Sequence, residues 1–81
     1  MTKKQRAQVV ELLRLTASSD LTIEEMGRRD GIGWDVVDAA IDAREAVQNE
    51  MVRHRDFSDG DAFYDKSCVL AAARIEDESL P

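Results

Sequence analysis

Cysteine, histidine, proline and aromatic residues are all scarce in this chain. Its 81 residues include one cysteine, one histidine, one proline, one tryptophan, one tyrosine and two phenylalanines. A lone Cys68 excludes an internal disulfide. With His54 it supplies two of the four N or S ligands a structural zinc needs, so no metal or cofactor is expected. No apolar run approaches the roughly 18 residues that would span a bilayer. The opening stretch also lacks the apolar core of a secretory signal. These absences predict a soluble cytoplasmic domain with no membrane partner. Glycine and proline are too sparse to mark a linker, so residues 1–81 are expected to form one domain.

What remains is 43% apolar and 35% charged, with a net charge of −6. That is too apolar for a disordered chain. The stretches between the four glycines are rich in Ala, Leu, Val, Glu and Arg, which favour helix. A first helix is predicted over 2–17, with Ala7, Val9, Val10, Leu12, Leu13, Leu15 and Ala17 as a broad apolar stripe. Ser18-Ser19-Asp20 then breaks the pattern. Thr22-Ile23-Glu24-Glu25 reads as a capping box, stapled by Leu21 and Met26, and starts a short second helix. Gly31 is the natural left-handed terminator of that helix. A third helix follows over 34–53, about 30 Å long at 1.5 Å per residue. Its expected inner face is Val37, Ala40, Ile41, Val47 and Met51, flanked by Val36 and Ala43, with Arg53-His54-Arg55 at the negative end of its dipole.

A loop over 56–61 leads to a fourth helix over 59–76, for which Ser58 with Asp61 is a weaker capping candidate. Phe63, Leu70 and Ala73 form one strip of this helix, and Tyr64, Cys68, Ala72 and Ile75 the next. An acidic tail from 76 is expected to fray. The expected fold is all-α, a compact bundle of about four helices around one core, with no surplus apolar face. Such a composition permits a monomer or a homodimer.

Catalytic equipment is thin. A nucleophile needs a base beside it, and here the choice is one thiol in an apolar run and one histidine between two arginines. Both read more simply as a small core residue and a surface cation, so no enzyme is expected. Calcium fails by spacing. With Gly60 at position 6 of an EF-hand loop, Arg55 and Phe57 occupy ligand positions 1 and 3. Asp59 and Asp61 are instead expected to cap and charge the fourth helix.

The segment IEEMGRRDGIGWDVVDAA, residues 23–40, places Gly27 in one helix, Gly31 at a turn, and Ile32 and Val37 where they pack inward. It resembles the helix-turn-helix of phage repressors, departing from it at Asp30, where that motif carries an apolar residue. The resemblance implies a DNA-binding transcriptional regulator, with Lys3, Lys4, Arg28 and Arg29 on phosphates. Against this, the outward residues of the second motif helix are Trp34, Asp35, Asp38, Ala39 and Asp42. Three carboxylates oppose a duplex that carries a charge every ~1.7 Å. DNA binding is therefore the less favoured reading.

Asp35, Asp38, Asp42 and Glu45 follow the 3-4-3 spacing of one helix face, continued by Asn49. The plain reading is a solvated outer face. The functional reading is an anionic strip that sits in a basic groove of a partner protein, such as one that holds nucleic acid, with Asp59, Asp61 and Asp65 of the acidic loop adding to it. Trp34 beside the strip is either an anchor for the partner or the aromatic that closes the core beneath the glycine turn, and the second use is the expectation here.

The opening MTKKQRAQVVELLR resembles the start of small proteins carried by temperate phages and prophages of proteobacteria. That resemblance implies the cytoplasm of a bacterial host as the setting. Short acidic phage proteins include inhibitors of host defence, anti-CRISPR proteins among them, several of which occupy basic nucleic-acid channels. The leading expectation is thus a phage-type acidic binding protein that inhibits or modulates a host protein. A minor component of a phage particle is a third reading. Charge is unevenly spread: residues 1–34 carry six basic and five acidic side chains, residues 35–81 five basic and twelve acidic.

Overall fold

In the computed structural model, which describes residues 2–54 and 60–78, helix α1 spans Lys3–Ala17. It starts one residue later than expected because Thr2 is its cap. Thr2 Oγ1 accepts the Gln5 N–H at 3.1 Å, and Gln5 Oε1 accepts the Thr2 N–H at 2.9 Å. Helix α2, Ile23–Arg29, opens on the predicted capping box between Thr22 and Glu25, with bonds of 3.2 and 3.3 Å. Such a cap contributes about 1 kcal/mol.

The end of α2 sets the course of the chain. Gly31 adopts φ +67°, the left-handed value. The Ile32 N–H donates to the Gly27 carbonyl at 2.8 Å, and the Gly31 N–H to the Arg28 carbonyl at 3.3 Å. This pair of bonds is a Schellman motif, and Ile32 packs against the core. Asp30, the departure from the repressor pattern, is the exposed C-cap. Helix α3, Trp34–Arg53, follows at once, and α4 spans Gly60–Glu78. The described residues are thus four helices with a helix-turn-helix-like centre, and they include no strand.

Helix α1 packs against all three others, and α4 packs on both α1 and α3. The molecule measures 33 × 32 × 17 Å. With so thin a body every helix keeps an outer face in solvent. The core is Val9, Val10, Leu12 and Leu13 of α1, Ile23 and Met26 of α2, Val36, Val37, Ala40, Val47 and Met51 of α3, and Cys68, Ala71, Ala72 and Ile75 of α4. Its two buried hydroxyls are satisfied. Thr16 donates to the Leu12 carbonyl at 2.8 Å, while Ser67 donates to the Tyr64 carbonyl and accepts from Gln48 Nε2 at 3.1 Å.

Several expectations need correction. Trp34 does not close the core and is 66% exposed. Val36 and Val37 take the inward positions, and the contact of Val37 with α2 fixes the rotation of α3. On α4 the strip through Tyr64, Cys68, Ala72 and Ile75 faces inward, joined by Ser67 and Ala71, while Leu70 and Ala73 of the other strip are exposed. Apolar surface is therefore in surplus, with Leu15, Val52 and Val69 also exposed. Ile41 and Ala43 are only half-buried. Helix α4 begins at Gly60 and runs to Glu78, two residues beyond its expected end. Arg55, the Ser58 cap, Asp59 and the tail from Ser79 lie outside the described residues.

At Gly27, α2 lies close against α3. A Cβ there would lie 2.6 Å from Val37 Cγ2. Valine is stiff at χ1, and Val37 is 1% exposed, so it has nowhere to turn. Overpacking of about 1–3 kcal/mol then outweighs the gain of about 1 kcal/mol that alanine offers in a helix. Gly27→Ala is expected to lower stability by about 1 kcal/mol in urea unfolding. A stabilised variant would show that the approach does not constrain the crossing.

Candidate functional site

With α3 held by Val37 and Ala40, its opposite face is fixed outward. Asp35, Asp38, Asp42, Glu45 and Asn49 are all exposed along it. Asp35 accepts a hydrogen bond from Gln5 Nε2 at 2.8 Å. Gln5 thereby both caps α1 and ties its first turn to the start of the stripe, a role that spacing along one helix does not reveal. Asp38, Asp42 and Glu45 have no hydrogen-bond or ion-pair partner among the described residues. Like charges three and four residues apart cost a few tenths of a kcal/mol per pair.

Arg44, midway along α3, is engaged elsewhere. Arg44 lies over the Tyr64 ring, 4.6 Å from its centroid, and its Nε is buried without a hydrogen-bond partner among the described residues. Tyr64 in turn accepts the Ile23 N–H at 3.2 Å and so ties α4 to the start of α2. Glu50 pairs with Arg74, whose guanidinium holds the Glu50 carboxyl below its ordinary range. Arg14 pairs with Glu76 at 2.6 Å.

The other predicted site residues fall in separate places. Trp34 shares a shallow depression with Arg28, Glu24, Ile32 and Val37. Arg28 and Arg29 are exposed at the end of α2. Lys3 and Lys4 are exposed at the start of α1, where Lys3 lines a groove with Arg6, Val10, Arg14 and Leu15. Asp65 is half-buried and lines a depression with Ser19, Asp20, Thr22 and Tyr64. It is grouped with the α1–α2 connection, not with the stripe. Asp61 lies in the first turn of α4, and Asp59 is outside the described residues.

Cys68 is fully buried, and the charges that act on it are Arg44 and Asp65. His54 is the exposed C-cap of α3, so the thiol and imidazole are not brought together. Among the described residues no group of three or more His, Cys, Asp or Glu could hold a metal, and no helix is long and apolar enough to cross a membrane. No protein-family model, curated protein or solved structure matches the chain.

Burial pushes the Cys68 thiol up to about 11 from an ordinary 9.0, with Arg44 opposing the rise and Asp65 adding to it. A group whose folded pKa is raised contributes stability that is fully present below its unfolded pKa and lost through its folded one. Stability is therefore expected to decline as pH rises from about 9 to about 11. Urea midpoints of the native chain and Cys68→Ala across this window check it, because the difference between the two must shrink with rising pH. A thiol reagent at pH 8 is expected to label Cys68 only after unfolding.

Proposed function

We propose that this chain acts by binding rather than by catalysis, and that it seats the acidic outer face of α3 in a basic surface of a partner protein. The carrying observation is the alignment of Asp38, Asp42 and Glu45 on one exposed helix face without a compensating cation among the described residues. Such a strip presents carboxylates along a rigid rod, spaced by the helix rather than by flexible chain. Its field would steer association and make it fast and salt-sensitive. A basic channel that ordinarily holds nucleic acid is the surface whose charge it complements. Exposed Trp34 at the head of the strip supplies an apolar anchor of the kind that dominates interface energy. The phage-like opening makes a host protein the natural target, with inhibition or modulation as the result and the bacterial cytoplasm as the place.

The Schellman turn between α2 and α3, with exposed Arg28 and Arg29 beside it, favours a second reading as a helix-turn-helix DNA-binding regulator. The same stripe works against it. A recognition helix contacts bases with its N-terminal residues, and here those are Trp34, Asp35 and Asp38.

Asp38→Lys/Asp42→Lys is expected to weaken partner binding by about 100-fold or more while helicity by circular dichroism stays unchanged. Capture from nuclease-treated bacterial lysate with the native and variant chains side by side identifies proteins that only the native chain retains. An identical captured set would overturn the stripe mechanism. A mobility shift with duplex DNA over a salt series separates the second reading. No shift is expected at low salt, and specific binding that weakens as salt rises would establish the regulator instead.

A further inference from the structure

A groove of about 550 Å³ runs along α1 from Lys3 to Ser18 and shares no lining residue with the α3 stripe. Its volume falls within the range of about 300–1,000 Å³ that small-ligand sites occupy. Ala7, Val10 and Leu15 supply its apolar lining. Lys3 and Arg6 line one end, and neither has a hydrogen-bond or ion-pair partner among the described residues. Toward the other end Arg14 is neutralised by Glu76 of α4 at 2.6 Å. The groove thus leads from two free cations, past apolar side chains, to a closed ion pair. Helix α1 bears Lys3, Lys4, Arg6 and Arg14 against Glu11 alone, in a chain of net charge −6. Its first turn holds no acid, although the positive end of a helix dipole favours acids and disfavours cations. The stability of α1 therefore gives no reason for cations at that end.

We infer that this groove binds an amphiphile of the alkyl carboxylate class, with one anionic head and one unbranched apolar chain. The order of charges selects that occupant. Its carboxylate sits at Lys3 and Arg6, and its chain leaves water over Ala7, Val10 and Leu15. Lys3 to Leu15 is about 18 Å at 1.5 Å per residue, room for dodecanoate in extended form. Glu11, exposed and also lining the groove, works against ligands charged along their length. A nucleic-acid strand or an acidic peptide would set a further anion against it. A neutral chain would displace water from Lys3 and Arg6 without offering a counter-charge. The groove covers one side of its occupant only, so Kd is expected to be on the order of 100 μM.

Titration of the isotope-labelled full chain with sodium dodecanoate, kept below micelle formation, is expected to give saturable amide shifts along residues 3–18. Butyrate has the head without the long chain, and dodecyltrimethylammonium the chain with a cationic head. Both are expected to bind there at least tenfold more weakly. Lys3→Glu/Arg6→Glu is expected to weaken dodecanoate binding about tenfold or more, while Lys3→Arg/Arg6→Lys retains it. Leu15→Asp is expected to weaken it similarly with helicity unchanged by circular dichroism, and Ala7→Glu repeats that test at a second exposed position. A native chain whose α1 amides do not shift saturably overturns the proposal, and an acidic peptide or nucleic acid as the true occupant appears as that outcome. Equal binding of either control ligand, or undiminished binding in Lys3→Glu/Arg6→Glu, overturns it as well.

Discussion

Gly27 of α2 and Val37 of α3 meet with no room for a side chain at position 27, and most of what lies outward follows from that contact. With no side chain at position 27, α3 comes near enough that Val37 Cγ2 occupies the space a Cβ would need. That contact fixes the rotation of α3 about its axis. A helix with Val36, Val37, Ala40, Val47 and Met51 inward must present Asp38, Asp42 and Glu45 on the far side. Gly31 serves the same end, since its positive φ lets the chain turn through the Schellman bonds and begin α3 within four residues of α2. The side chains that this turn leaves exposed on α3 are acids.

Mutual repulsion along the stripe is small against the burial of five α3 side chains, each worth on the order of 1 kcal/mol or more. The acids therefore do not threaten the helix, and the fold places no demand for their presence. Arg44 could have relieved them but lies over Tyr64, and Arg74 is taken by Glu50. Both arginines are spent on joining α3 to α4. The carboxylates of Asp38, Asp42 and Glu45 are thus left facing solvent as an organised row.

Local signals were the legible ones. The Thr22 capping box, the Gly31 terminator and the inward period of α3 depend on residues within a few positions of each other; the first two stand where spacing alone puts them, while on α3 Val36 rather than Ile41 is fully inward. Contacts between distant segments were not legible. Gln5 reaches Asp35 across 30 residues and Tyr64 caps Ile23 across 41, and neither leaves a trace in periodicity. The rotation of α4 was ambiguous for a definable reason. Its apolar residues run around the whole circumference, so two strips competed for the core. Packing against α1 and α3 chose the one through Tyr64, Cys68, Ala72 and Ile75, and left Val69 and Leu70 exposed. Trp34 was misjudged because an aromatic beside a glycine turn suggests a plug, whereas Ile32, Val36 and Val37 already fill that space.

The two outer faces differ in what they can do energetically. An exposed row of carboxylates sets association rate and partner choice, because charge acts over a Debye length of about 8 Å in physiological salt. An exposed Val69–Leu70 face acts only on contact and contributes by leaving water.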